Sequence, residues 1–400
     1  MTGLFLILAY LVALLTLQSH LPWLPWLILV LIAGRFAYKW GIVDMSKYRK
    51  LTNFDEITAK LGDSPKEADN RITEEHFAKL TAISEEHIFG QDLVVNQIVN
   101  KIKANLEVPD RDRPILTALL VGPPGVGKSK LAEYVGKATS SHPQGFFCID
   151  SSQYKDHDAS SLFGTGKGYI GSDSPGSLTN WLKSLSGQTG TLCVDEVTRV
   201  NGNVKLWTQA FMPVISGKVT EVSTQQEFST RNILVFFTTN YEHEKLSAIA
   251  ERYHALQGKM PQAELEAAMR KEACAILKGP EFPDAFLDRI DVIGLYRPLN
   301  YEVMGDIVLK EAAVLTERHG MELEEIEAEV VVEAIRVAQA GESTGARDFK
   351  RWVEQWVNPA LLEAKRQRAW KVKLLLGPDR KVYATITAYR QERQPSPQRA

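Results

Sequence analysis

Two patterns of apolar residues divide this chain. Residues 3 to 34 are almost continuously apolar, whereas from Ile88 onward short apolar runs alternate with stretches of helical periodicity. The runs Ile115–Val121, Phe146–Asp150, Thr191–Asp195, Asn232–Thr238 and Asp291–Leu295 predict strands without polar alternation, as in a sheet buried on both faces. Helical stretches between them predict an α/β fold, a parallel sheet sandwiched between helices in three layers. Pro298 marks a boundary, beyond which 301–318, 327–340 and 347–366 read as helices, with Trp352 and Trp356 four apart on one face. A hairpin follows, Trp370–Leu376 and Lys381–Ala388, turning at Gly377-Pro378-Asp379. These last elements predict a small, mostly helical domain ending near 389, and 390–400 reads as a disordered polar tail.

The N-terminal apolar stretch is broken by Gln18-Ser19-His20, Pro22 and Pro25. One helix over its whole length would run about 48 Å, longer than a hydrocarbon core of about 30 Å. The breaks predict a membrane hairpin of two short segments, Leu4–Leu17 and Leu24–Ala33, either spanning or re-entrant, with Trp23, Trp26 and Trp40 as interface anchors. A cleaved signal peptide is disfavoured, because a basic n-region and a small-x-small cleavage site are both missing. Arg35, Lys39, Lys47, Arg49 and Lys50 against one Asp44 place the following chain in the cytoplasm. The expected organisation is a membrane anchor over 1–40, a stalk over 41–85, a large domain over 86–299 and a small domain over 300–389.

Composition changes this picture little. A 44% apolar fraction is ordinary for a globular chain, and a net charge of -2 gives no general attraction to nucleic acid. Cys148, Cys193 and Cys274 are scattered and odd in number, so they read as reduced core residues rather than as bridges or metal ligands.

The chemistry is concentrated after the first strand. Gly122-Pro123-Pro124-Gly125-Val126-Gly127-Lys128-Ser129 fits the G-x-x-x-x-G-K-[ST] loop, lying between a strand and a helix as that loop requires. Its glycines let backbone N–H groups surround phosphate oxygens, and the helix adds its positive N-terminal end. Lys128 is placed for the β- and γ-phosphates, and the Ser129 hydroxyl for Mg²⁺. The run TLCVDE ends a strand in two acids, Asp195 to support Mg²⁺ and Glu196 to polarise the attacking water. The chain is therefore expected to bind ATP with Mg²⁺ and to hydrolyse it.

With these residues in view, the segment from about Ile88 to about Ala388 resembles the AAA+ ATPases, and among them the second ATPase ring of the ClpA/ClpB class of protein unfoldases. IFGQ, with Ile88 and Phe89, is similar to the segment lining the adenine pocket, and CIDSSQY to the second strand. FFTTN looks like sensor 1, implying that Asn240 orients the water. FLDRID resembles the arginine-finger motif, implying that Arg289 reaches a neighbour's nucleotide within a homo-hexamer. GARDFKR resembles sensor 2, with Arg347 reaching the γ-phosphate from the small lid domain. GTGKGYIGSDSPG resembles the axial pore loop; there Tyr169, with Lys167 and Ile170, would grip a protein client. Where the class commonly has acids after the aromatic, this chain has Ser172-Asp173-Ser174-Pro175. The loop 216–230 stands where a lower pore loop would be, without its glycine pattern, and its role is open.

No H-E-x-x-H zinc site occurs, and 241–280 holds no tripeptide resembling a peptidase-docking loop; Ile293-Gly294-Leu295 reads as buried strand. The resemblance, taken together with the N-terminal hairpin and its basic flank, leads to a membrane-anchored, single-ring ATPase remodelling proteins at the cytoplasmic face of a membrane, of the bacterial inner-membrane kind. Two alternatives stand beside it: a motor for DNA transfer, disfavoured by the lack of a basic stripe interleaved with aromatics, and an ATP-dependent assembly protein that threads nothing.

Overall fold

The computed structural model describes residues 72–108, 110–155, 158–164, 175–279, 281–340 and 345–389. The expected membrane hairpin, most of the stalk, the Tyr169 loop and the C-terminal tail lie outside the described residues. Among the described residues no helix is long and apolar enough to cross a membrane.

The apolar runs form the expected sheet. Strands β1 (Leu116–Val121), β2 (Phe146–Asp150), β3 (Gly190–Asp195), β6 (Ile233–Thr239) and β7 (Val292–Leu295) are all parallel, in the order β2-β3-β6-β1-β7. Side chains alternate between two cores, as a two-residue period requires. Leu116, Ala118, Leu120, Cys193, Leu234 and Phe236 face one layer; Leu119, Val121, Leu192, Val194, Val235 and Phe237 face the other. The first layer is built by α1 (Glu74–His87), α2 (Asp92–Leu106) and α3 (Lys128–Thr139). The other is built by α5 (Ser177–Leu185), α6 (Val204–Ala210), α8 (His243–His254) and α9 (Gln262–Leu277), with the short helices α4 (Ala159–Phe163), α7 (Met212–Ile215) and α10 (Asp284–Leu287) between them. Phe77 and Leu80 of α1 are buried in the first core, so packing begins at Ile72, ahead of the boundary near 86 expected from sequence.

The second core is tied together by aromatic edges. The Phe237 ring meets Phe211 at 5.8 Å and Phe286 at 5.0 Å, both edge-on, and Phe211 meets Trp207 at 5.4 Å. Edge-to-face geometry sets positive ring edges against negative faces, adding to the gain from burial.

After β7 the chain forms a smaller domain. It consists of α11 (Tyr301–Arg318), β8 (Glu322–Ile326), α12 (Ala328–Ala340), α13 (Ala346–Trp352), α14 (Asn358–Arg366), β9 (Ala369–Leu376) and β10 (Val382–Tyr389). The hairpin β9–β10 is antiparallel as expected, and β8 joins it in parallel to make three strands.

Several expectations need correction. The single helix over 347–366 is interrupted by a π-helical turn, Val353–Val357. Pro359 has no N–H to offer the carbonyl one turn before it, and the wider turn follows. The extra residue rotates the helix face, leaving Trp352 5% exposed and Trp356 37% exposed, so the two tryptophans do not share a buried face. Cys148 is exposed rather than a core residue, because β2 is a sheet edge; Cys193 is buried and Cys274 partly so. The 216–230 segment holds a small hairpin, β4 (Lys218–Thr220) with β5 (Glu227–Ser229). Ile293 and Leu295 are buried and Gly294 packs on Val94, in agreement with a core strand.

Phe237→Ala is expected to lower unfolding stability by about 3–5 kcal/mol in urea titration, and the volume-sparing Phe237→Leu by less than about 1.5 kcal/mol. A Phe237→Leu variant as stable as wild type would show that the aromatic edges add nothing beyond burial.

Candidate nucleotide site

A parallel sheet brings the loops after its strands to one edge, and here β1, β6 and β3 are immediate neighbours. Their C-terminal ends deliver the loop 122–129, Asn240 and the pair Asp195–Glu196 to one place. A cleft of about 580 Å³ lies there, lined by loop residues 124–130, by Asp195 and Glu196, and by Ala346, Arg347 and Lys350 from the small domain.

Lys128 is the centre of the polar network. Its Nζ is buried and donates to Gly122 O at 2.8 Å, Pro123 O at 2.6 Å and Asn240 Oδ1 at 2.6 Å. Burial pulls its pKa down to about 8, against the opposing pull of Glu196 and Asp195; Arg347 and Arg199 push it further down. Asn240 passes the network on, its Nδ2 donating to Glu196 Oε1 at 2.7 Å. An ammonium only donates and a carboxylate only accepts, so these two partners set the amide's orientation.

Glu196 has a left-handed backbone, φ 52 and ψ 48, where a residue with a side chain is strained by about 1–3 kcal/mol. Two hydrogen bonds hold it there: its N–H donates to Thr238 Oγ1 at 2.9 Å, and its carbonyl accepts from Arg199 N at 2.7 Å. The conformation turns the carboxylate from the strand end toward Asn240. Among the described residues Glu196 Oε2 is buried without a hydrogen bond, 3.3 Å from Arg199 Nε in an ion pair.

Asp195 Oδ1 accepts from both Ser129 Oγ and Thr238 Oγ1, each at 2.5 Å. Hydroxyl and carboxylate oxygens are hard donors, and Mg²⁺ takes few of them from protein, completing its octahedron with water and phosphate. Ser129 and Asp195 therefore fit as the residues that would hold Mg²⁺, which supplies charge neutralisation to phosphate oxygens.

The small domain touches the phosphate loop directly. Ala346 N donates to Gly125 O at 3.0 Å, and a Cβ added at Gly345 would lie 2.8 Å from Gly125 Cα. Arg347, exposed on the same helix start, lines the cleft. At the other end, Phe89 lines the cleft while Ile88 is buried behind the loop, its Cδ1 facing Gly127.

The geometry thus brings together the loop residues, Phe89, Asp195, Glu196, Asn240 and Arg347. Arg289 does not line the cleft; its Nη1 donates to Ala285 O at 2.8 Å. Tyr169, Lys167 and Ile170 lie outside the described residues. Sequence reasoning missed Thr238, which supports both acids, although it stands inside the quoted FFTTN. It also missed the His87–Tyr134 stack, with ring centroids 4.9 Å apart, and Lys310, whose Nζ meets His87 Nδ1 at 2.6 Å beside it. Charged residues on an amphipathic helix read as a solvated face, so Lys310 gave no signal.

Residues 113–293 match the family model described as AAA domain (Cdc48 subfamily). The chain is 28% identical over 294 residues to chaperone protein ClpB of Bacillus cereus, which covers 72% of this chain and 32% of that protein. It is 27% identical over 292 residues to ClpB of Enterococcus faecalis, with coverage of 72% and 32%. Against chaperone protein ClpB4, mitochondrial, of Arabidopsis thaliana, identity is 24% over 307 residues, with coverage of 76% and 30%. The chain spans about a third of the length of these relatives. Both comparisons make residues around the cleft similar to an AAA domain, and most of the chain similar to part of the ClpB chaperones.

Proposed function

We propose that this chain is a membrane-anchored, ring-forming ATPase that spends ATP on unfolding, remodelling or disassembling protein clients. The observation that carries the hydrolytic part is Glu196, whose buried Oε2 lacks a hydrogen bond among the described residues and lies beside a complete phosphate loop. A carboxylate oxygen so placed can accept a proton from an attacking water. Asn240, held between Lys128 and Glu196, sets where that water sits. Lys128 leaves the carbonyls of Gly122 and Pro123 for phosphate oxygens, which are charged and therefore stronger acceptors.

Arg347 adds positive charge from the small domain. Arg289 does not reach the cleft of its own subunit, so the ring reading assigns it to the site of a neighbouring copy, and the sequence resemblance points to six copies. The client-gripping role of Tyr169, with Lys167 and Ile170, rests on the sequence resemblance. The anchor over 1–40 and the cytoplasmic face of a bacterial-type inner membrane rest instead on the apolar pattern and the basic residues that follow it.

Lys128→Ala is expected to abolish ATP binding, while Glu196→Gln keeps ATP bound and loses at least about 100-fold in turnover. Wild-type turnover in Glu196→Gln would remove that acid from its role.

A second expectation concerns pH. Phosphate favours protonated Lys128, so binding takes up a proton wherever the empty site has lost one. Affinity should therefore hold below pH 8 and fall above it, by about tenfold at pH 9, in fluorescent-nucleotide titrations. Lys128→Arg, which does not titrate there, should flatten the dependence.

Unfolded polypeptide should accelerate ATP turnover, and Tyr169→Ala should remove the acceleration. Stimulation by single-stranded DNA instead would favour a DNA motor, and a silent Tyr169→Ala an assembly role without threading.

A further inference from the structure

Arg289 sits in a short segment between α10 and β7, and that segment is gripped from a helix far away in sequence. Leu287 and Ile290, on either side of Arg289, are buried at 1% and 2% exposure. Asp291 is docked on β1 by two bonds: its N–H donates to Thr117 O at 2.7 Å, and its Oδ2 accepts from Thr117 N at 2.9 Å. Half-buried Arg270 on α9 then spans the segment. Its Nη2 donates to Leu287 O at 3.0 Å and its Nη1 to Asp291 O at 3.3 Å. These carbonyls lie two residues before and two residues after Arg289. Among the described residues Arg270 has no carboxylate in ion-pair contact, so its guanidinium is committed to the strap.

We propose that Arg270 is a positioning residue for Arg289, fixing the direction in which the finger leaves its subunit. A planar guanidinium carries its N–H groups in a rigid fork and can bridge two carbonyls at once; an ammonium on a flexible stem satisfies one and leaves the other. The strap joins α9, the finger segment and, through Asp291 and Thr117, the strand that ends in the phosphate loop. The finger therefore stands in a fixed relation to its own subunit's nucleotide strand while serving the next subunit's site. The inference rests on the reading that Arg289 acts on a neighbouring copy.

The test uses the full chain in detergent, with Arg270→Gln and Arg270→Lys. ATP affinity should stay within about twofold of wild type, and turnover of the assembled chain should fall about tenfold or more in Arg270→Gln, less in Arg270→Lys. The decisive readout is subunit mixing. A Lys128→Ala subunit cannot hold ATP but carries an intact finger, so mixing it with Arg270→Gln should restore turnover well above the sum of the two alone. Arg289→Ala mixed with Lys128→Ala should behave likewise. If Arg289→Ala is rescued and Arg270→Gln is not, Arg270 acts within its own subunit; the proposal falls and the ring reading stands. If neither is rescued, the finger does not act between copies, and both fall. Wild-type turnover in Arg270→Gln, or loss of ATP affinity in both Arg270 variants, also overturns the proposal.

Discussion

A buried ammonium with no carboxylate in direct contact among the described residues organises this molecule. Lys128 is taken out of water at the floor of a cleft, where it is held by two main-chain carbonyls and one amide oxygen. Desolvating a charge is costly, and neutral acceptors offset that cost only in part, which is why its proton is held more loosely than in water. The unmet part of that demand is what a polyphosphate would satisfy. Each neighbouring feature follows from keeping the arrangement intact: the tight loop that presents the carbonyls, Asn240 turned by its two partners, and Glu196 strained into line with it. Three adjacent parallel strands are the simplest scaffold that brings these loops together.

Much of the large domain was legible because its strands are buried on both sides. Such strands become unbroken apolar runs, and all five were placed to within about a residue or two by that property alone. The phosphate loop and the acidic pair were legible because their chemistry tolerates few other residue types. The small domain was harder to read. β8 has the sequence ELEEI, which looks like an acidic connection; it is a strand because β9 offers matching lysines, Glu322 meeting Lys371 and Glu325 meeting Lys373, each at 2.7 Å. That pairing joins residues about fifty apart and leaves no local trace. The π turn did leave one, Pro359, and an unbroken helix across a proline was the weaker reading.

The acids illustrate a different gap. Asp195 and Glu196 were recognised, but the hydroxyl of Thr238, which holds the side chain of one and the main chain of the other, was passed over. Threonine in a strand is ordinary, and only register shows that β6 brings Thr238 alongside the end of β3. Arg270 belongs to the same group: nothing around it on an exposed-looking helix announces that it reaches two carbonyls on another segment.

The contact between Gly125 and Gly345 carries a mechanical consequence. Two bare α-carbons meet there with no rotamer to flex, so displacement of one main chain passes to the other without loss into side-chain motion. Whatever straightens or bends the loop around a polyphosphate is felt at once by the helix bearing Arg347. The joint works as a rigid pushrod, and its two ends tolerate no methyl group.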